Sequence, residues 1–345
     1  MKDLFNSTIK KRTILIFEAN RWHSECLPGF SKYFIDLGYK IDILAGDLGF
    51  DSFCLFRDMT KIRYFKYKNL EPLWKYNKKL ISVIKKYDYI IIQTADEKNK
   101  VLFNHLDLLK LNSTIFVFHN ISVAIHHYSR YFNKNRVWAL GNFSKGFQVN
   151  PHYFGHIQIK NKNEKTIFLI TSTKNRNYNY LVQSLIKLHK DNLNFEIIVV
   201  GGKKFFYKRK IPKVLTPYIS YKYDASFYQF YNTVINSDFI IIPLDPKSNF
   251  DNFFRTIKVT GSAQLSYGFI KPLIIDKKFS EFYSLNEKNS LIYENNDLYT
   301  IMKKAINLTN KQYRYLQNNL KETAKLIYKK SIDNVKKTFN KSNKD

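Results

Sequence analysis

Residues 250–275 read FDNFFRTIKVTGSAQLSYGFIKPLII. Lys258, Thr260, Gly261 and Ser262 stand just before a run that can be helical, Ala263 to Phe269. An apolar segment, Pro272 to Ile275, follows at once and has the character of a buried strand. A small-residue turn that opens a helix aims unsatisfied backbone N–H groups and a partial positive charge outward, which suits an anion. Arg255 and Lys258 add full charges. Read for function, the stretch is a diphosphate cradle between two strands of an α/β sheet. Read without function, it is an ordinary capped helix with surface lysines, because Thr and Ser cap helices widely. The residues by themselves leave both readings open.

The rest of the chain supplies the sheet that the first reading needs. Thr13 to Phe17, Tyr39 to Leu44, Ile62 to Phe65, Asp88 to Gln93 and Thr114 to Phe118 are short apolar runs expected as strands. Between them, Leu27 to Leu37 has helical spacing, with Leu27, Phe30, Phe34 and Leu37 on one stripe, Pro28 in the first turn and Gly38 as the stop. Leu73 to Lys86 reads as a basic amphipathic helix and Asn99 to Leu111 as another helix. A polar, lysine-rich stretch from Gly155 to Lys165 is expected to be a linker. Alternation then restarts: strand Thr166 to Thr171, helix Tyr178 to His189, strand Phe195 to Val200, helix Ala225 to Asn236, strand Asp238 to Ile242. Such βα alternation means parallel sheets covered by helices. A short echo, Asp88-Tyr-Ile-Ile-Ile and Asp238-Phe-Ile-Ile-Ile, falls at corresponding places in the two halves. The expected domains are therefore 1–155 and 165–345, the second closed by lysine-rich helical sequence from Leu298 to about Phe339.

Length and composition agree. A chain of 345 residues exceeds what one core usually holds. With 44% hydrophobic and 17% aromatic residues it can fill two cores, and only 11 Gly and 8 Pro argue against low complexity. Lys and Arg number 57 against 28 acidic residues, a net charge of +29. That balance favours anionic partners: nucleotide diphosphates, nucleic acid or an anionic membrane face. The lysines are scattered, and no paired zinc ligands or aromatic RNA-binding strand accompany them, so nucleic acid is not expected. Two cysteines, Cys26 and Cys54, make neither a disulfide framework nor a CxxC metal site. The start MKDLFNSTIKKR lacks an apolar signal region, and no apolar run approaches a bilayer span. A cytoplasmic protein is expected, resting peripherally on the inner membrane face through its basic charge.

In an open α/β sheet, ligands bind beyond the carboxyl ends of the strands. Candidate residues are therefore those that directly follow strands. Lys174, Arg176 and Asn177 follow the first strand of the second half, where cations can stabilise a leaving diphosphate. In the first half, Glu18-Ala-Asn-Arg-Trp-His-Ser-Glu25 follows the first strand and offers His23 and Glu25 as acceptor contacts or a base. His119 follows Phe118 directly, and Asp245 follows Ile240 to Pro243. His126 and His127 have no metal-ligand partner at convincing spacing.

TGSAQLSYGFIKPLII, followed by Glu281, Tyr283 and LIYENNDL (Leu291 to Leu298), resembles the donor-binding half of the GT-B glycosyltransferases, in particular the family 4 and family 1-like bacterial polysaccharide enzymes. The clear part covers about a hundred residues, and the order of elements fits the whole chain. The resemblance implies two Rossmann-like doubly wound domains facing a central cleft. It implies a hexosyltransferase that takes a nucleotide diphosphate sugar and a saccharide acceptor, lipid-linked, in cell-surface polysaccharide or capsule assembly. It places the donor diphosphate at Lys258, Thr260, Gly261 and Ser262 with Lys174, Arg176 and Asn177. It places the nucleoside at Tyr221 and Tyr223, with Gln264 as the nearest polar group for a ribose contact. His119 becomes the leading catalytic residue, facing the donor sugar, with His23 and Glu25 beside it. Many retaining members carry two Glu residues here; aligned on Pro272 those positions are Ile257 and Leu265, so both acids are missing. With no convincing DxD, a mechanism without metal or other cofactor is expected. The competing readings are a non-catalytic basic α/β module for polyanions or membrane, and a GT-B-like nucleotide-sugar epimerase.

Overall fold

The computed structural model describes residues 2–20, 23–57, 59–67, 77–129, 134–143, 146–171, 178–201, 211–295 and 297–342. The chain divides into two compact units, one of residues 1–156, 257–259 and 327–345, the other of residues 157–256 and 260–326. The segment 257–259, expected with the second half, lies in the first unit, and so does the end of the last helix, a crossing back that the GT-B resemblance implies. The first unit gives way to the second after His156, within the stretch expected as a linker, and residues of that stretch bond into the second unit. Lys160 Nζ donates to Asn236 Oδ1, Asn163 N to Asp238 Oδ1, and Arg314 Nε to Asn161 Oδ1, all within the second unit.

The first unit holds a seven-stranded sheet, all pairs parallel. Its strands are β1 (Thr13–Glu18), β2 (Lys40–Gly46), β3 (Ile62–Tyr67), β4 (Tyr89–Ile92), β5 (Thr114–Phe118), β6 (Val137–Ala139) and β7 (Phe147–Gln148). The order is β3-β2-β1-β4-β5-β6-β7. Alternate residues feed opposite faces, as a pleat requires. Leu15, Phe17, Ile90, Ile92, Phe116 and Phe118 join one core. Ile14, Ile16, Ile41, Ile43, Ile91 and Val117 join the other, against helix Leu27–Asp36 and the end of helix Asn310–Ser342. Burial on both faces explains why these strands read as continuous apolar runs. Phe339 seals the second core, stacked on Tyr89 at 3.8 Å, while Trp138 Nε1 donates to Thr338 Oγ1 at 2.9 Å.

The second unit repeats the plan with β8 (Thr166–Thr171), β9 (Phe195–Gly201), β10 (Ile219–Tyr223), β11 (Phe239–Ile241), β12 (Leu273–Asp276) and β13 (Leu291–Tyr293). The order is β10-β9-β8-β11-β12-β13, again all parallel. Both sheets are doubly wound, with the reversal between the first and fourth strands. The Asp88/Asp238 echo has a physical origin at that reversal. Asp88 Oδ2 accepts from Thr13 N at 2.9 Å, and Asp238 Oδ2 accepts from Ile167 N at 2.8 Å. In each sheet a carboxylate ahead of the fourth strand holds an amide at the start of the first.

Some elements differ from the pattern reading. The helix expected to reach Leu111 spans Lys100–His105, because Asp107 turns left-handed (φ 54) and Leu108 N donates back to Phe103 O at 2.9 Å. That is a Schellman-type end with Asp in the place usually taken by Gly. The expected helix Leu73 to Lys86 is helical at Asn77–Ile84, and residues 68–76 lie outside the described residues. Helices Ile121–His127 and Asn249–Thr256 were not anticipated. Lys271, which precedes the Pro272 strand, is buried with its Nζ on Ile235 O (2.8 Å) and Ser237 O (2.6 Å), tying off the end of helix Phe227–Asn236. Burial, opposed by Asp238, brings its ammonium down to about 8.

Candidate active site

The carboxyl ends of β1, β4 and β5 bring polar side chains together in the first unit. Glu18, the last residue of β1, is 1% exposed. Its Oε2 accepts from Gln93 Nε2 at 2.8 Å and from Thr94 Oγ1 at 2.7 Å, both just beyond β4. Its Oε1 accepts from Asn20 N at 2.5 Å. Gln93 Nε2 also donates to His23 O at 2.6 Å, so one amide ties the end of β1 to the loop that follows it. That loop tightens into a 3-10 turn, Ser24–Cys26, before helix Leu27–Asp36. The turn carries His23 and Glu25 upward, with His23 Nδ1 3.5 Å from Glu25 Oε1. At that distance the pair is an ion-pair contact rather than a hydrogen bond.

His119, next after β5, meets His23 ring to ring, with centroids 3.8 Å apart and planes tilted by 35°. Its Nε2 lies 3.3 Å from Gln93 O. A carbonyl only accepts, so this contact puts the proton on Nε2 and leaves Nδ1 as a lone pair. Asn120 caps the following helix, its Oδ1 accepting from Ser122 N at 3.0 Å. Asn120 also bridges Lys258 in antiparallel fashion, and Ile121 N donates to Ile257 O at 2.9 Å. The tripeptide 257–259 is thereby held beside the end of β5, and Lys258 adjoins the residue after His119.

The electrostatics separate these groups. Burial raises the Glu18 carboxyl to about 7, against the opposing hydrogen bond from Thr94 and the charge of His23. For His23 burial opposes protonation, but Glu25, Glu18 and Asp96 outweigh it, and the imidazole is raised above its ordinary value. For His119 burial and the His23 charge act together and push it well below. Two imidazoliums do not share one contact, so His23 carries the proton when either does. The pairing is that of a carboxylate-supported base beside a neutral imidazole.

Glu18 gives a stability test. Its folded value lies above its unfolded one, so the protonated carboxyl favours the fold below about 4.5, and that contribution is lost as pH rises through about 7. Glu18→Gln, which stays neutral, should lack this decline. Urea melts of both proteins between pH 5 and pH 8 should diverge by no more than about 3 kcal/mol, the wild type losing more. Parallel pH dependence in the two proteins would show that Glu18 does not titrate in this range.

The start of helix Gly261–Phe269 lies in the second unit. Thr260 is extended (φ −89, ψ 133) and gives no side-chain cap. Its N–H donates to Tyr283 Oη at 3.2 Å, while Tyr283 donates to Phe254 O at 2.6 Å. Ser262 Oγ meets Thr171 Oγ1, at the end of β8, at 2.6 Å. First-turn amides have no intrahelical acceptor. Gly261 is exposed, and a Cβ added there would meet nothing within 4 Å. Tyr221 and Tyr223 stand side by side on the edge strand β10, rings parallel within 1° at 5.7 Å, with Tyr221 against the core. Gln264 is buried at 4% exposure. Lys174, Arg176 and Asn177 lie outside the described residues. Asp245 forms a turn, accepting from Lys247 N at 2.9 Å. Ile257 packs on the first unit's core and Leu265 is buried, so the two positions that lack glutamates serve packing.

His23, Glu25 and His119 are thus brought together, whereas Glu18, Gln93 and Thr94 were not singled out from sequence. For Glu18 the sequence shows only an acid closing an apolar run, a pattern that a solvated strand end shares. No protein-family model and no curated protein matches the sequence. Solved structures do match in fold. An alpha-glucosyltransferase in complex with UDP and a 13-mer DNA containing an HMU base aligns with a TM-score of 0.57 at 10% identity, over 94% of this chain and 99% of that one. Anabaena HepE in complex with UDP-glucose aligns with a TM-score of 0.50 at 12% identity, over 94% of this chain and 98% of that one. Together with two doubly wound parallel sheets, these matches show a GT-B glycosyltransferase-like fold.

Proposed function

We propose that the chain is a glycosyltransferase that moves a hexose from a nucleotide diphosphate sugar to a saccharide acceptor, lipid-linked, in bacterial cell-surface polysaccharide assembly. The observation that carries the reading is the grouping of His23, Glu25 and His119 over the buried Glu18. The fold neighbours solved with UDP and with UDP-glucose support a nucleotide sugar as the donor.

In this reading His23 takes the proton of the acceptor hydroxyl as its oxygen bonds to the anomeric carbon, and Glu25 stabilises the imidazolium that results. The bond from that carbon to the diphosphate oxygen breaks at the same time, and the leaving diphosphate gathers negative charge. The amides of Gly261 and Ser262, with Lys258, are assigned to that charge. Lys174, Arg176 and Asn177 are assigned to the same diphosphate, and Tyr221 and Tyr223 to the base. No metal or other cofactor is assigned a role.

Donor binding is tested by the thermal melt. A nucleotide that binds only the folded chain must raise the transition. UDP or GDP at about 100 times its dissociation constant should add about 2.7 kcal/mol of stability. Gly261→Val should melt like the wild type without nucleotide, because a Cβ there meets open space. The same variant should lose the nucleotide-induced rise, because its side chain occupies the ground a phosphate would need. An unchanged rise in Gly261→Val would remove this helix from the donor site. No rise with any nucleotide diphosphate would favour the binding-module reading, and release of an epimer without transfer would favour the epimerase.

A further inference from the structure

The amino ends of the first sheet gather a row of exposed cations. Parallel register brings the strand starts to one edge: Thr13 aligns with Lys40, Ile41 with Ile62, and Ile14 with Tyr89. Lys11 and Arg12 lie directly before β1, Lys40 opens β2, Lys61 precedes β3, and Lys85 and Lys86 precede β4; all six are exposed. Neighbouring strands lie about 4.8 Å apart, so four strand starts spread this charge over roughly 15 Å. Phe339, stacked on Tyr89 and edge-on to Tyr39, brings the last turns of helix Asn310–Ser342 to the same edge, where Lys336 and Lys337 are exposed. Of the nearby acids, Asp88 is exposed with its Oδ2 on Thr13 N and keeps one negative charge at the edge, while Asp42 is buried and paired with Arg63, so the cations outnumber the acids. At the far ends of the same strands the charges are mixed, Glu25, Asp96 and Glu97 with Lys66, Lys98 and Lys100.

We infer that this amino edge is a docking surface for an anionic lipid bilayer. The reading of the chain as a transferase is not needed for it. Lysines are compact point charges, suited to a field of headgroup phosphates, whereas nucleic acid is gripped by guanidinium forks and stacked aromatics. Arg12 is already engaged, its Nη2 on Leu37 O at 2.9 Å and its guanidinium over the Tyr39 ring. Docking by this edge leaves the His23 cluster at the other end of six-residue β1, roughly 20 Å along the strand and clear of the bilayer. Where the chain acts on a lipid-linked saccharide, the reacting sugar then stands away from the lipid.

Co-sedimentation with vesicles of phosphatidylglycerol and phosphatidylcholine tests the surface. The wild type should pellet with these vesicles at low salt, not with phosphatidylcholine alone, and be released as salt rises. The variant Lys11→Glu/Lys40→Glu/Lys61→Glu/Lys86→Glu should bind at least ~100-fold more weakly, since each cation near such a surface contributes about a fivefold factor. Lys190→Glu/Lys213→Glu/Lys304→Glu/Lys321→Glu makes the same change in net charge on exposed sites of the second unit and should stay within about fivefold of the wild type. Thermal melts establish that each variant is folded. If the first does not fold, Lys11→Glu/Lys40→Glu and Lys61→Glu/Lys86→Glu are measured separately, each expected to lose ~20-fold or more. Equal losses in the two quadruple variants, or no pelleting by the wild type, would overturn the assignment. So would a mixed-sequence RNA that strips the wild type from the vesicles. The nucleotide-induced rise in melting should persist in the edge variant, so a failure here is distinct from a failure of the donor site.

Discussion

His23→Ala is expected to lower the rate of sugar transfer by ~10²–10⁴-fold, the range contributed by a positioned general base. Nucleotide binding and melting temperature should change little. His23 is a third exposed, and the anchor of its loop is the backbone contact from Gln93 Nε2 to His23 O, which alanine retains. The pH profile gives the sharper readout. A base must be unprotonated to accept, so the rate should climb with pH through the value of His23, which lies above the ordinary imidazole value. Glu25 is the chief group holding that value up against burial. Glu25→Gln should therefore move the rising limb to lower pH, in addition to slowing the reaction. A His119→Gln variant keeps hydrogen-bonding capacity but removes the ring that meets His23 at 3.8 Å between centroids. If His119 is the base instead, His119→Gln loses the limb and His23→Ala retains it. A profile unchanged in both variants would take proton transfer away from this cluster.

The sheets were legible because their chemistry is local. A strand buried on both faces is apolar at every position, so Thr114 to Phe118 and Thr166 to Thr171 were found to the residue. The Asp88/Asp238 echo was visible as letters, but its meaning needed the fold: each carboxylate reaches a backbone amide about seventy residues away in sequence. The candidate residues that directly follow strands rest on a related rule, that strand ends mark the ligand edge of such sheets. Glu18 does not stand out in the sequence, because a single acid after an apolar run looks like a solvated strand end. Only the long-range partners Gln93 and Thr94 show that it is buried. Lys271 misleads in the other direction. Beside Pro272 it looks like part of a donor motif, yet its ammonium is spent on two carbonyls at the end of a helix. The short strands β6 and β7, three and two residues long, carry too few positions for a period to appear. The assignment of 257–259 to the first unit was invisible for another reason: an antiparallel bridge from Lys258 to Asn120 leaves no mark in either segment's side-chain pattern.

Lys258→Ala is expected to lower turnover by ~10²–10³-fold, the scale seen when one oriented charge-stabilising group is lost. The leaving diphosphate gains charge as the glycosidic bond breaks. A fixed cation therefore stabilises the transition state more than the ground state, and its loss should appear in kcat more than in nucleotide affinity. The structure makes the substitution readable. Lys258 is half-buried, and it is placed by its backbone, through the bridge to Asn120 and the neighbouring bond from Ile121 N to Ile257 O, neither of which needs the lysine side chain. Alanine should keep that placement and cost little stability. Lys258→Arg keeps the charge but presents a planar fork instead of a compact ammonium, so partial recovery is expected. Lys258→Gln keeps length and polarity without charge, and should stay near the alanine level if charge is what acts. Unaltered turnover in Lys258→Ala would show that the diphosphate is neutralised elsewhere, with Lys174 and Arg176 the next positions to change.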